Sequence, residues 1–364
     1  MGELCIVFAG TKITLLPGDS VGGILANVPD DCVSDSDINY AKQMFKKGKK
    51  NILDCGGFTI FTYERDKKEF ISDPSQPIIK KDRFLNLAPI HVIQAALFLK
   101  PYIVMALDYP INFADGPAGK DLEFTKKLGF QIKWAWECAE LKEKYCLESM
   151  LFLPVQAFNI NQFKWYWKHV KNINPDGLSL PVRHLTLKEV ALFLIYFYKI
   201  GIKRVHLLGS TQPLLIVLSA YLAYHFFEWI SLDSTTWQQS SRNKKYMNPH
   251  DLSVEYFGNT LVDADIQNDC PCIYCQGKSF LDLNDLEDTE KTYAFGWHNI
   301  KATENFGKQV FNHCENVQVL RAYLNRKLQP KQSDEVEQLC QILTVFETFT
   351  DLSIENIFDL IDPL

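Results

Sequence analysis

The chain lacks a surplus of positive charge. Its 38 Lys and Arg face 44 Asp and Glu, a formal net charge of −6. That excludes a protein that holds nucleic acid through an all-over basic coat, while local basic patches stay available. Low-complexity segments and internal repeats are also absent. With 47% hydrophobic and 23% charged residues, the composition sits near the globular average. Disordered, collagen-like and coiled-coil classes are excluded. A leader is not expected: Met1-Gly2-Glu3-Leu4-Cys5-Ile6-Val7-Phe8-Ala9 carries an acid where a signal peptide wants a base, and its apolar run is short. Ile6 stands where a myristoylation signal needs Ser or Thr. Long hydrophobic runs are scarce. Residues 213–232 approach a membrane span in length, but the run holds His225 and Glu228 and leads into Asp233. A buried helix followed by a buried strand is the expected reading.

Ten cysteines in 364 residues are too sparse for a disulfide scaffold. Most are scattered. Three are packed together in Cys270-Pro271-Cys272-Ile273-Tyr274-Cys275. Thiols this close cannot pair with one another in ordinary disulfides, but they can converge on one metal ion. The expectation is a reducing, cytoplasmic protein with a metal site. Zinc in a structural site takes four N or S ligands tetrahedrally, and soft thiolates disfavour magnesium or calcium. His298 is the expected fourth ligand, with His313 and Cys314 as alternatives. A Cys3His shell is closed, so such a zinc would clamp a loop-rich segment and do no chemistry.

The length suits one large barrel or two ordinary domains. Residues 1–50 read as short strands and turns around Pro17-Gly18 and Gly22-Gly23. From Asn51 the pattern becomes rhythmic. Short apolar runs lead to Asp54, Asp108, Gln156, Gly209 and Asp233, and a further run is Gly177-Leu178-Ser179-Leu180. Helical patterns fill the gaps at about 86–99, 121–144, 160–171, 186–199 and 213–226. Strands alternating with helices in this way predict a parallel sheet with helices outside, and the number of units favours a closed (β/α)8 TIM barrel over an open sheet. The expected division is a barrel over 1–300, with a zinc-binding insertion at about 240–300, followed by a helical C-terminal segment at 301–364. In such barrels the C-terminal strand ends form the active face, so Asp54, Asp108, Gln156 and Asp233 are candidate site residues. Strand-end acids are also common turn formers.

Taken in order, these residues resemble the tRNA-guanine transglycosylase family and its DNA-modifying relatives, over roughly 50–300. Leu53-Asp54-Cys55-Gly56-Gly57-Phe58 is similar to the family's Asp-Ser-Gly-Gly-Phe/Tyr-Gln segment, with Cys55 in place of serine and Thr59 in place of glutamine. Ile103–Asp108 resembles the strand ending in the base-recognising aspartate. Val155-Gln156 resembles the Val/Gln-Gln-Gly segment. Leu232-Asp233 falls on the nucleophile, and the cysteine run with His298-Asn299 resembles the family's zinc site. The family's Pro-Thr-Arg after the nucleophile is missing; the chain reads Asp233-Ser234-Thr235-Thr236-Trp237. Tyr109-Pro110 stands in place of the usual Glu-Cys. Such drift suits a relative that inserts 7-deazaguanine into DNA somewhat better than one acting on tRNA.

The resemblance implies exchange of guanine in a polynucleotide for a free 7-deazaguanine base. It implies Asp233 as the nucleophile that forms a covalent glycosyl-enzyme and Asp54 as the general acid/base. Asp108, Gln156, the Gly177 N–H and the Leu178 carbonyl would read the base. Gly56 and Gly57 would let backbone approach it closely. Phe58 and Leu208 would sandwich the ring, a stack worth ~1–3 kcal/mol per base; ordinary core packing is the alternative for both. The target nucleotide must leave its stack to enter the pocket. Lys46-Lys47-Gly48-Lys49-Lys50, Lys80-Lys81-Asp82-Arg83 and Arg242-Asn243-Lys244-Lys245 are candidate phosphate contacts or simply solvated faces. Homodimers are common in this family, and the resemblance leaves open a helper protein. Two other readings remain: a catalytically silent nucleic-acid-binding partner subunit, and a hydrolytic glycosylase.

Overall fold

The structure is a computed structural model that describes residues 1–10, 20–67, 78–80, 83–85, 87–111, 116–256, 270, 272–279, 282–283, 285–328, 332–348 and 361. The strands are β1 (Glu3–Ala9), β2 (Gly23–Asn27), β3 (Ile52–Asp54), β4 (Ile78–Lys80), β5 (Arg83–Leu85), β6 (Ile103–Met105), β7 (Met150–Pro154), β8 (Gly177–Pro181), β9 (Arg204–Leu208), β10 (Trp229–Ser234), β11 (Lys245–Met247) and β12 (Val254–Tyr256). Eight of them close a barrel in the order β1-β10-β9-β8-β7-β6-β3-β2. The expected TIM-barrel class is thus the observed one. The strands are near-continuous apolar runs, as parallel strands covered on both faces must be. Val7, Ile24, Leu53, Val104, Phe152, Leu180, Leu207 and Leu232 are all buried.

The chain clusters into two compact units. One spans Ser20–Leu208 with Ala9–Thr11; the other takes Met1–Phe8 and Gly209–Leu364. In the first, parallel register runs Asn27↔Asp54, Leu53↔Val104, Met105↔Phe152, Pro154↔Ser179 and Pro181↔Leu208. Each crossover is helical: Pro89–Leu99, Gly116–Lys144, Ile160–Val170 and Leu187–Lys199. Local chemistry sets their ends. Asn159 caps one by accepting the Gln162 N–H at 2.9 Å. Thr186 and Glu189 form a capping box at another. These helices start and stop within a few residues of the sequence pattern.

Residues 1–50 depart from the expected short strands and turns. Asp35–Phe45 is a helix that buries Ala41, Met44 and Phe45, and Ser34 caps it by accepting the Asp37 N–H at 3.2 Å. Its polar first turn hides the apolar face in the sequence. Gly57–Lys67 is a second unanticipated helix; its opening Gly56-Gly57 reads as a turn.

In the second unit β1 pairs with β10, Val7 opposite Asp233. Residues 213–232 form the expected buried helix, Pro213–His225, and then β10; Leu215–Ala223 is buried all round. Among the described residues no helix is long and apolar enough to cross a membrane. The hairpin β11–β12 follows. Three helices complete the unit: Asp288–Phe311, Val317–Lys327 and Ser333–Thr348. The first of these runs through position 300 without a break.

Candidate active site and metal centre

Asp54 is the last residue of β3 and is half-buried. Asn27, its register partner on β2, donates from Nδ2 to Asp54 Oδ2 at 2.8 Å. After it the chain turns sharply. Gly56 has φ +88°, and a side chain there would run into the Pro29 ring. At Gly57 a Cβ would occupy the space of the Asp108 carboxylate. Backbone and acid can therefore meet only because this position is glycine.

That approach brings Asp108 and Gln156 to the segment that carries Asp54. The Cys55 thiol donates to Asp108 Oδ1 at 3.0 Å and lies 3.8 Å from Asp54 Oδ1. The Gly57 N–H donates to Cys55 Sγ at 3.4 Å. Gln156, just beyond β7, donates from Nε2 to Asp108 Oδ2. Asp108 is only 7% exposed. Burial pushes its pKa up, against the bonds from Cys55 and Gln156 and the charge of Lys127. Burial and the two neighbouring carboxylates push the Cys55 thiol well up, so it serves as a neutral donor and not a nucleophile.

A buried charge network supports this cluster, and sequence reasoning missed it. Lys127 Nζ pairs with Glu64 at 2.7 Å and Glu123 at 2.6 Å, and donates to the Pro110 carbonyl at 2.7 Å. It also lies 4.3 Å from the centre of the Tyr109 ring. The Tyr109 hydroxyl donates to Glu64 Oε1 at 2.5 Å. Glu64 belongs to the helix that begins at Gly57, and Tyr109 follows Asp108. The network thus ties the helix after Asp54 to the loop bearing Asp108. Glu123 and Lys127 are spaced i,i+4, but Glu64 lies 63 residues away from Lys127, beyond any local pattern.

Phe58 is 52% exposed and stacks on Phe61 with ring centroids 5.5 Å apart. Core packing is therefore not its role. Leu208 ends β9 and is half-buried. The expectation for Gly177 and Leu178 needs correction. They open β8, at the end opposite Pro181. Gly177 pairs with Phe152, and a Cβ there would strike the Phe152 ring and the Arg204 carbonyl. Its glycine serves barrel packing; the residues at the far end of β8 are Pro181, Val182 and Arg183.

In the other unit, Asp233 lies near the end of β10, 6% exposed, and its Oδ1 accepts the Gly209 N–H at 2.9 Å. Gly209 has φ +89°, so the turn that delivers this donor suits glycine. Ser234 holds the next turn through Thr211 Oγ1 at 3.0 Å and the Thr236 N–H at 2.9 Å.

The same unit carries a side-chain cluster that could hold a metal ion. Cys270, Cys272, Cys275 and His298 are all buried, and their donor atoms lie within 4.8 Å of one another. His298 Nδ1 stands 3.2, 3.7 and 3.2 Å from the three sulfurs. A tetrahedral zinc with its usual Zn–S and Zn–N bond lengths requires S···N edges of roughly 3.6 Å, so the residues fit the ion. His298 Nε2 bonds the Met247 carbonyl at 2.7 Å, which fixes the proton there and turns Nδ1 toward the sulfurs. Tyr246 stacks on the imidazole at 3.7 Å. Asn299 explains itself: its Oδ1 accepts the Met247 N–H at 2.9 Å, and its Nδ2 donates to the Lys245 carbonyl at 3.1 Å. The alternative ligands are engaged elsewhere. His313 bonds the Gln309 carbonyl and Cys314 that of Val310.

Of the basic runs, Lys244 is spent on its own chain, bonding the Asp288 carbonyl and Thr292 Oγ1. Lys81 and Asp82 lie outside the described residues.

A family model described as queuine tRNA-ribosyltransferase matches residues 36–326. No curated protein matches the chain. The matched span takes in Asp54, Asp108, Gln156, Asp233 and the Cys270–Cys272–Cys275–His298 cluster. The chain therefore belongs to the queuine tRNA-ribosyltransferase family of transglycosylases.

Proposed function

We propose that this protein exchanges guanine in a polynucleotide for a free 7-deazaguanine, with DNA somewhat preferred over tRNA. The observation that carries the reading is the Asp54–Cys55–Asp108–Gln156 cluster, four polar side chains linked within one unit. Asp108 accepts hydrogen bonds from N1–H and the exocyclic amine of guanine. The Gln156 amide has two N–H donors; with one on Asp108, the other serves the base O6. Phe58 offers its exposed face to the ring.

The chemistry proceeds by two displacements. The Asp233 carboxylate attacks C1′ while the N-glycosidic bond breaks, and Asp54 gives its proton to the departing guanine. The incoming base then loses a proton to Asp54 and attacks C1′, which releases Asp233. Double displacement at the sugar retains configuration. The Gly209 N–H orients one Asp233 oxygen and Asn27 orients one of Asp54. Zinc, when bound by Cys270, Cys272, Cys275 and His298, supplies a closed structural clamp.

The residues after the nucleophile support the DNA preference. No Pro-Thr-Arg is present, and Trp237 is buried edge-on against Phe8, centroids 6.5 Å apart. The test offers labelled guanine or a labelled 7-deazaguanine with DNA and, separately, with tRNA. Label entering DNA supports the full reading, and label entering tRNA alone moves the substrate. Abasic product or no turnover overturns base exchange.

A further inference from the structure

We propose that Arg183, with His184 and Lys120, grips the polynucleotide backbone beside the exchanged nucleotide, next to the exposed ring of Phe58. This rests on the base-exchange reading above and adds a phosphate-binding surface to it.

Arg183 lies just past the C-terminal end of β8, exposed to solvent. Its guanidinium sits 5.9 Å from the Phe58 ring centre. Among the described residues no carboxylate stands in ion-pair range of it, on a chain of net charge −6. Phe58 follows Gly57, whose backbone abuts Asp108. The cation is thereby tied, through one aromatic ring, to the purine-reading cluster. His184 is its neighbour in sequence, and the charges of Arg183 and Lys120 both reach it, adding to burial in holding its imidazole below the usual pKa. Lys120 Nζ in turn lies 4.6 Å over the Phe158 ring, two residues beyond Gln156.

Two aromatic rings, each with a cation against it, thus follow Gly57 by one residue and Gln156 by two, within one unit. Phosphate wants the cations, and unstacked bases want the rings. An acidic peptide would satisfy the cations but leave the aromatic faces and the purine-reading amide without purpose. A flipped nucleotide supplies both chemistries in one ligand.

The test measures binding of labelled single-stranded DNA and RNA oligonucleotides by fluorescence anisotropy across a salt series. Arg183→Ala should weaken binding about threefold to tenfold, across all sequences, and reduce the slope of log K against log salt by about 0.7 for single strands. Arg183→Lys keeps the charge and should keep the slope. Lys133→Ala, an exposed lysine on the helix Gly116–Lys144, serves as the control and should leave both unchanged. An effect with DNA alone, RNA alone or both names the polymer. A wild-type slope in Arg183→Ala overturns the surface even if exchange is confirmed. A reduced slope supports it even if no polymer supports exchange, so the two readings fail separately.

Discussion

Lys127 offers the sharpest test of how the base-reading cluster is held. Its side chain is 1% exposed, and its two carboxylate partners, Glu64 and Glu123, are 11% and 17% exposed. At 2.6–2.7 Å and an effective dielectric of about 20, each pair is worth about 6 kcal/mol of gross attraction. Burying the ammonium offsets most of that. Removing one partner from such a pair nevertheless costs about 3–5 kcal/mol, because the other charge stays buried and uncompensated. Partial exposure of both glutamates puts Lys127→Met near the lower end, about 3 kcal/mol. Urea denaturation followed by tryptophan fluorescence reads the loss. The triple change Lys127→Met, Glu64→Gln, Glu123→Gln removes the stranded charges and should recover at least half. The proposed exchange reaction supplies a second readout. Lys127 helps hold the Asp108 pKa down, and in the proposed reaction only ionised Asp108 accepts both guanine N–H groups. Lys127→Met should therefore move the acid limb of activity to higher pH. A loss under about 1 kcal/mol with the acid limb in place would refute the network as the anchor of the site.

Zinc analysis should find about one ion per chain, and Cys272→Ala or His298→Ala should abolish it and destabilise the second unit; metal retained at full stoichiometry in both would reject the ligand set. Asn299→Ala strands the buried Met247 N–H, a cost of about 1–3 kcal/mol; unchanged stability would show that the hairpin is held otherwise. Burial raises the Asp108 pKa from 3.8, so its contribution to stability is complete below that pH and is lost as pH climbs through the raised folded value. Asp108→Asn should flatten that slope and change which base is accepted; an unaltered slope or an unaltered base preference counts against its placement.

The barrel was legible because its strands are short apolar runs at regular spacing, and because Asp54, Asp108, Gln156 and Asp233 each end such a run. The cysteine segment was legible because three soft ligands in so short a stretch have few other uses, and the expected His298 stands at the right distances. What stayed hidden depends on distance or on backbone. The Glu64–Lys127 pair joins helices far apart in the chain. The helix Asp35–Phe45 conceals its apolar face behind a polar first turn. Gly177 resembled a base-reading glycine by its place in a strand motif, but the Phe152 ring beside it accounts for the missing side chain. Arg183 has no motif at all; only the fold brings it to Phe58.

The proposed base exchange turns on a covalent bond between Asp233 and the sugar. Protein mixed with a guanine-containing oligonucleotide, quenched in denaturant and resolved by gel and intact mass, tests it directly. The account predicts an adduct of protein plus oligonucleotide minus guanine, discharged by added 7-deazaguanine and missing in Asp233→Asn. An adduct that persists in Asp233→Asn, or exchange that proceeds at full rate in that variant, would contradict it.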